Sequence, residues 1–406
     1  MAFAFRNQPL KGLYLTYQAL TTVFFRIPWW ILCSLPRSCR PRQSWDLKRV
    51  VMVRLIRHTI LATTQTGRFL NKTPDYLAIE PDVGEYGVWV EPVPELVNAE
   101  FEVFATAASV EPIRVPGYWM HRRGTDIKVG SPPVPGEKVL YRLHGGGYTR
   151  CSAHPSDLTA KMSLDLVEFT DTLHRAFAVE YRLSSIKPFP IAGQFPAALF
   201  DALAGYNYLV NVVGFSPSDI VVLGDSAGGN LAHALTRYLV ENQNSIDHLP
   251  GPPGGLVLVS PWCDMSGSHV TPGSAVYLYK DIDILVFADA DSYNERAFLG
   301  PHGYEAAVSN KYISPSCKSL EVSFKGFPRI FIIAGGVELL LDQIRTIKAR
   351  MIEDLGEGDG LGEGEGKVRY VEEPDAVHDY PVFNWHEPEK SRTLREVAEW
   401  VDAAAS

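Results

Sequence analysis

The sequence of 406 residues has little of several features that would assign a protein to a particular class. Its five cysteines lie far apart and show no zinc-ligand spacing, which predicts free thiols in a reducing, intracellular compartment. No glycine-rich loop has the Gly-x-x-x-x-Gly-Lys-Ser/Thr spacing that binds phosphates. A formal net charge of −9 argues against nucleic acid as a partner. Disulfide-framework, zinc, nucleotide-binding and nucleic-acid-binding classes are therefore disfavoured.

The most informative motif that is present is Gly-Asp-Ser-Ala-Gly-Gly at residues 224–229. An apolar, strand-like run precedes it, and an amphipathic helical pattern over residues 227–240 follows it. A serine in a Gly-x-Ser-x-Gly turn between a strand and a helix occupies a strained position, with its hydroxyl exposed above the end of the sheet. The motif therefore predicts that Ser226 is a nucleophile.

A second glycine-rich motif, His-Gly-Gly-Gly, directly follows another strand-like run. Glycines allow the backbone amides of a loop to turn toward one point, because no Cβ is in the way. An amide that donates to an oxyanion increases the rate of acyl transfer by roughly a hundred- to a thousandfold. We expect an oxyanion hole formed by Gly145, Gly146, Gly147 and Ala227, in which Gly145 makes the turn and the other three amides donate.

The chain resembles the hormone-sensitive-lipase-like branch of the α/β-hydrolases over roughly residues 110–402. The resemblance rests on five motifs in the family's order: His-Gly-Gly-Gly at 144–147, Tyr-Arg-Leu at 181–183, Gly-Asp-Ser-Ala-Gly-Gly at 224–229, Ser-Pro-Trp-Cys-Asp at 260–264 and Tyr-Ile-Ser-Pro at 312–315. One departure is that Ser184 and Ser185 follow Tyr-Arg-Leu where the family usually has Ala-Pro. The resemblance implies an α/β-hydrolase fold and a serine carboxylesterase.

The resemblance also points to the acid and the base of a catalytic triad. This fold orders the triad along the chain as nucleophile, acid and histidine. The family's acid position falls on Glu338, where most members have Asp, and Asp342 is the alternative. The expected base is His378, at a place where the family has a similar His-Gly-Phe, and His386 is the alternative because the other histidines precede the acid.

These residues predict an enzyme that hydrolyses small to medium apolar carboxylic esters, such as an ester of a natural product. Ser226 would attack the carbonyl, His378 would take and return the proton, and Glu338 would orient the imidazole until water hydrolyses the acyl-enzyme. This chemistry requires neither a metal nor an organic cofactor. Two alternatives stay open: an acyltransferase or lactonase with the same triad, and a non-catalytic small-molecule receptor on a hydrolase scaffold.

Strand-like and helical segments alternate along the chain, which predicts an α/β fold with a mainly parallel central sheet and helices on both faces. The expected strands lie near 139–143, 177–181, 219–223, 256–259, 329–333 and 367–371, and the expected helices near 156–173, 195–211, 227–242, 338–354 and 388–404. We expect residues 61–406 to form the catalytic domain, with a cap insertion around 265–310 that lines the substrate pocket.

Residues 1–60 differ from the rest because they are apolar, aromatic and basic within an acidic protein. The apolar run 13–35 is interrupted by Arg26 and Pro28, whereas a spanning helix needs about 20 apolar residues without charge. Two interpretations stay open: a segment that lies on an anionic membrane surface, or a helical cap over the active site. Asn71-Lys72-Thr73 matches a glycosylation motif, which matters only in a secretory lumen.

Overall fold

The computed structural model describes residues 3–69, 75–286 and 292–404. The glycosylation motif at Asn71 lies outside the described residues, and the insertion 265–310 is described in part. Each of the five cysteines is a free thiol.

One eight-stranded sheet forms the centre of the molecule. Its strands are β1 (Gly87–Val90), β2 (Val115–His121), β3 (Lys138–Leu143), β4 (Leu173–Val179), β5 (Ile220–Asp225), β6 (Gly255–Val259), β7 (Arg329–Gly335) and β8 (Val368–Glu373). Their order across the sheet is β1-β2-β4-β3-β5-β6-β7-β8. The β1–β2 and β2–β4 pairs are antiparallel and all other pairs are parallel. The sheet is therefore mainly parallel, as the sequence predicts.

The described residues include twelve α-helices. They are α1 (Leu10–Thr21), α2 (Ile27–Ser34), α3 (Leu47–Thr66), α4 (Ala99–Ala108), α5 (Ala160–Phe169), α6 (Ala197–Asn207), α7 (Ala227–Asn242), α8 (Ala275–Tyr279), α9 (Tyr293–Leu299), α10 (Gly303–Ser309), α11 (Leu341–Leu355) and α12 (Glu389–Ala403). Short π-helical segments at Thr22–Arg26 and Tyr208–Val213 extend α1 and α6. The bounds of α7 match the expected helix, because its amphipathic pattern is regular and the strained serine fixes its first turn.

Two apolar cores lie on the two faces of the sheet because strand side chains alternate between them. Along β3, Val139 and Tyr141 pack into the core that contains α6, α7 and α11, whereas Leu140 packs into the core that contains α3, α5 and α12. Burial on both faces explains why these strands read as continuous apolar runs. Because both faces of the sheet are covered, the loops that could form a functional site lie at the carboxyl ends of its strands.

The sequence-based expectation differs from the structure at the amino-terminal side of the sheet. β1 and β2 were not expected, and β4 lies at Leu173–Val179 rather than at 177–181. β2 is an antiparallel strand that contains Pro116 and Gly117, residues typical of turns, and tertiary pairing with β4 overrides that local preference. The described part of the 265–310 insertion contains α8, α9 and α10.

The amino-terminal helices divide into an exposed part and a docked part. α1 buries none of its residues. Apolar side chains are exposed along α1, the π-helical segment, α2 and the residue that follows α2, namely Leu10, Leu13, Tyr17, Leu20, Val23, Phe24, Phe25, Trp29, Ile31, Leu32 and Leu35. By contrast, Trp45 is buried and donates from Nε1 to the carbonyl of Asp375 (2.7 Å), and Arg57 donates to the carbonyl of Leu285 (2.7 Å). Within the described residues, no helix combines the length and the apolarity needed to cross a bilayer.

Candidate active site

Ser226 sits on a strained turn between β5 and α7. Its backbone has φ 52° and ψ −116°, in the left-handed half of conformational space that a serine rarely adopts. A Cβ at Gly224 would overlap the carbonyl oxygen of Gly228, and a Cβ at Gly228 would overlap the carbonyl oxygen of Leu143. The turn thus requires glycine on both sides of the serine, and the Ser226 side chain stays only partly buried.

The glycine loop after β3 lies against this turn. The amide of Gly145 donates to Oδ2 of Asp225 (2.9 Å), which joins the loop to the end of β5. Gly146 and Gly147 have φ of 102° and 61°, and within the described ranges no hydrogen-bond acceptor meets their amides. Because Gly145 is engaged by Asp225, Gly146 and Gly147 supply the free amides of this loop.

The ring of His144 supports that loop from inside the protein. It stacks on the ring of Tyr181, with centroids 4.1 Å apart, and its Nδ1 lies 2.8 Å from the carbonyl oxygen of Gly145. Burial lowers the pKa of His144 to about 3, so the ring is neutral. A neutral, stacked and fully buried imidazole acts as a support for the loop, and it is not exposed to a substrate.

His378 and Glu338 meet at the same edge of the sheet. Nδ1 of His378 lies 2.8 Å from Oε2 of Glu338, and the other carboxylate oxygen of Glu338 accepts from the amide of Gly335 (3.1 Å). Both side chains are buried. β7 and β8 are adjacent and parallel, so the loops that follow them begin side by side. The structure therefore brings together the two residues that the sequence offered as acid and base.

The surroundings of His378 favour its protonated form. Burial alone would lower the pKa of His378, but the carboxylates of Asp379 and Glu338 outweigh burial and raise it well above its ordinary value. Burial raises the pKa of Glu338, and the hydrogen bond with His378 opposes that rise. The two carboxylates beside the imidazole thus favour the charged form over the neutral one.

The other ring nitrogen of His378 does not contact the serine in this conformation. Nε2 lies 3.1 Å from Oδ2 of Asp379, the next residue in the chain. Among the residues that the structure describes, no hydrogen bond joins the Ser226 hydroxyl to His378. Completing the row of serine, histidine and carboxylate therefore requires Nε2 to leave Asp379.

The two alternative residues are engaged elsewhere. Asp342 accepts from the amide of Ala275 (2.7 Å) at the start of α8. His386 is buried beside Trp385, neither ring nitrogen has a partner among the described residues, and burial lowers its pKa to about 2. Within the described part of the chain, neither residue forms a hydrogen bond with His378 or Ser226.

Asp283 is a residue of this region that the motifs did not reveal. Its buried carboxylate accepts from the backbone amides of His378 (2.9 Å), Leu339 (2.8 Å) and Ile284 (2.7 Å). It thus joins the loops that carry Glu338 and His378 to the insertion. Asp283 stands in an insertion without a recognisable pattern, so only its tertiary contacts identify it.

Asn294, on α9, also approaches the site from the insertion. Its side-chain oxygen accepts from the hydroxyl of Thr149 (2.8 Å), and a Cβ at Gly147 would lie 2.6 Å from its amide nitrogen. The insertion therefore packs directly on the glycine loop. No motif in the sequence predicted this contact of Asn294.

Comparison with known proteins identifies the family. The family described as the alpha/beta hydrolase fold matches residues 140–381, more than half of the chain. The chain belongs to this family. Esterase LipU of Mycobacterium tuberculosis is 30% identical over 271 residues, which cover 66% of this chain and 77% of that protein. An esterase of Acinetobacter venetianus is 24% identical over 334 residues, which cover 81% of this chain and 91% of that protein.

A solved relative agrees with this assignment. The crystal structure of a hormone-sensitive lipase from a metagenome library has a TM-score of 0.52 and 25% identity, and the match covers 72% of this chain and 81% of that one. The comparisons confirm the predicted α/β-hydrolase fold and its hormone-sensitive-lipase-like branch. They also confirm the predicted enzyme class, a carboxylic ester hydrolase.

Proposed function

We propose that this hydrolase cleaves small to medium apolar carboxylic esters with Ser226 as nucleophile, His378 as base and Glu338 as acid. The observation that carries the proposal is the 2.8 Å contact between Nδ1 of His378 and Oε2 of Glu338, beside a serine on a strained turn. A carboxylate on Nδ1 leaves Nε2 as the nitrogen that exchanges protons with a nucleophile. Acyl transfer also needs Nε2 to accept from the Ser226 hydroxyl, which it can do once it leaves Asp379.

The reaction follows from these positions. His378 takes the hydroxyl proton as Ser226 attacks the ester carbonyl, and Glu338 stabilises the imidazolium that forms. The alcohol leaves with the proton from His378, and a water molecule then attacks the acyl-enzyme with His378 again as base. Asp283 accepts from the backbone amide of His378 and so fixes the backbone that carries the ring.

The oxyanion of the tetrahedral intermediate would be stabilised by backbone amides. Those of Gly146 and Gly147 have no acceptor among the described residues, and Ala227 begins α7, where the first amides of a helix lack intrahelical partners. Donors fixed in advance stabilise the developing charge without reorganisation. Gly145 contributes to this oxyanion hole by making the turn, since its own amide is bonded to Asp225.

We further propose that an apolar acyl or alcohol group binds in a cavity of about 650 Å³ formed partly by the insertion, whose lining does not include Ser226, His378 or the glycine loop. Ile186, Met265 and Leu299 are among its lining residues. An apolar acyl or alcohol group gains free energy by leaving water for such a surface, at about 25 cal/mol per Å² buried.

A panel of p-nitrophenyl esters from acetate to palmitate tests the proposal. The wild-type enzyme should prefer short or medium chains, and Ser226→Ala should lose nearly all turnover, by at least about a thousandfold. Thr271→Ala, a hydroxyl removed from the insertion, serves as the matched control. Turnover that persists in Ser226→Ala would remove this serine from the mechanism.

We also propose that two consecutive stretches of residues 1–60 have different roles. The exposed apolar side chains of α1 and α2 would lie on an anionic membrane surface, and the docked stretch around Trp45 and α3 would act as a cap beside the catalytic loops, with residues 61–406 as the catalytic domain. Charge complementarity supports the membrane role, because Arg and Lys outnumber the single acidic residue, Asp46, in residues 1–60.

A further inference from the structure

The contact between Asp379 and His378 joins a carboxylate to the nitrogen that the proposed reaction requires. Oδ2 of Asp379 lies 3.1 Å from Nε2 of His378. Asp379 has φ 53° and ψ 33°, a left-handed conformation that Asp tolerates better than most residues. Its amide donates to Oγ of Ser260 (3.0 Å), which fixes the backbone under the carboxylate.

This contact is compatible with only some protonation states. A neutral imidazole with its proton on Nδ1, facing Glu338, would present the lone pair of Nε2 to a carboxylate oxygen, and the two would repel. Attraction requires a proton between Nε2 and Oδ2, as in an imidazolium paired with an ionised Asp379. In that state Nε2 cannot accept the proton of Ser226, because it already carries one.

We propose that Asp379 is a positioning residue that pairs with Nε2 of His378 in the resting enzyme and must release it before Ser226 can attack. The inference rests on the proposed role of His378 as base. Release moves one proton from Nε2 to water and turns the carboxylate away, so that Nε2 can face the serine. No bond other than this N–H bond is broken.

The groups around Asp379 explain why its carboxylate pairs with Nε2 of His378. Its second oxygen, Oδ1, is buried without a hydrogen-bond partner, so within the described residues His378 is the cation that the carboxylate contacts. The titratable groups that face the pair are all acidic: Glu338 on Nδ1, Asp283 on the backbone amide of His378, and Asp225, which interacts electrostatically with Asp379. A carboxylate held by a single ionic contact can also turn away when that contact breaks.

The direction of the pH effect follows from the charges. An ionised Asp379 stabilises the protonated imidazole and so raises the pKa of His378. Below that pKa the base is occupied and kcat/KM falls. Removing the carboxylate lowers the pKa of His378, and the acidic limb of the profile should move to lower pH.

The test is the pH profile of kcat/KM for the full-length Asp379→Asn variant with p-nitrophenyl butyrate. Asn keeps the volume and the tolerance for a left-handed backbone. We expect the acidic limb to move down by about one pH unit, which raises the rate on that limb about tenfold, with less than about threefold change on the alkaline plateau. Asp379→Gly, which suits the same backbone, should shift the limb in the same direction.

Two further measurements separate this inference from a general loss of structure. Asp359→Asn removes one carboxylate, paired with Arg369, from the loop between α11 and β8, and should leave the limb in place. The rate at which a p-nitrophenyl phosphonate modifies Ser226 should show the same pH shift in Asp379→Asn, because that reaction also needs the free base.

The outcomes distinguish the two proposals. If Ser226→Ala and His378→Ala abolish turnover while Asp379→Asn keeps the wild-type pH limb, the inference about Asp379 is overturned and the proposed function stands. A folded Asp379→Asn and a folded Asp379→Gly that lose activity equally at every pH would also overturn it, because Asp379 would then be required rather than released. If His378→Ala keeps wild-type turnover, the proposed function itself fails.

Discussion

Oε2 of Glu338 and Nδ1 of His378 lie 2.8 Å apart, although 40 residues separate them in the chain. Two adjacent parallel strands, β7 and β8, begin the loops that carry them, and Asp283 bonds to the backbone of both loops. The pair is therefore held by the sheet and by the insertion together. The proposed triad depends on where this pair lies relative to the Ser226 turn.

The first prediction separates Glu338 from its neighbour Asp342. Glu338→Gln should reduce kcat by at least about a hundredfold, because an amide cannot stabilise the imidazolium as a carboxylate does. Asp342→Asn should change kcat by less than about threefold, since Asp342 bonds to the amide of Ala275 instead. Steady-state kinetics with a short-chain ester measures both. A larger loss in Asp342→Asn would reverse the assignment of the acid.

The second prediction concerns pH and the stability of the fold. Burial, together with the charge of Asp379, raises the pKa of Asp225 from 3.8 to about 8. Between pH 3.8 and about 8, Asp225 keeps its proton in the folded protein but loses it in the unfolded chain. The contribution of Asp225 to the free energy of unfolding is therefore complete near pH 4 and is lost as the pH rises toward about 8.

Asp225→Asn should remove that loss, because an amide keeps an oxygen for the Gly145 amide and does not ionise. The quantity to compare is the Tm of Asp225→Asn minus the Tm of the wild type. We expect this difference to be at least about 3 °C larger at pH 8.5 than at pH 4.5. Thermal unfolding followed by circular dichroism at the two pH values gives the comparison. An equal Tm difference at both would contradict the assigned pKa.

The third prediction tests the exposed face of the amino-terminal helices. The full-length protein should co-sediment with vesicles that contain phosphatidylserine. The triple variant Phe24→Asp, Phe25→Asp and Trp29→Asp should bind at least about tenfold more weakly, because losing the burial of even one large apolar side chain costs about 2 kcal/mol. Val103→Asp, which replaces an exposed apolar residue of α4, is the matched control. Equal binding of the wild type and the triple variant would exclude this membrane role.

Much of the fold could be predicted from the sequence, because short segments carry the patterns that distinguish its strands from its helices. The parallel strands are buried on both faces and appear as apolar runs, and the helix Ala227–Asn242 follows from a regular amphipathic pattern after a motif that fixes its start. β2 was missed because Pro116 and Gly117 argue locally against a strand, and only its pairing with β4 makes it one.

The sequence by itself determined which residue types the site has and their order along the chain: the serine between two glycines, the glycine loop, and the acids and histidines that follow. It could not choose between Glu338 and Asp342 from spacing alone, since both follow β7 within one helical turn. Tertiary structure decided that Glu338 contacts His378, that Asp283 from the insertion holds their loops, and that Asp379 faces Nε2. The physical reason is that motifs report the backbone conformation of short segments, whereas the contacts of a buried side chain depend on strands and insertions that pack far apart in the chain.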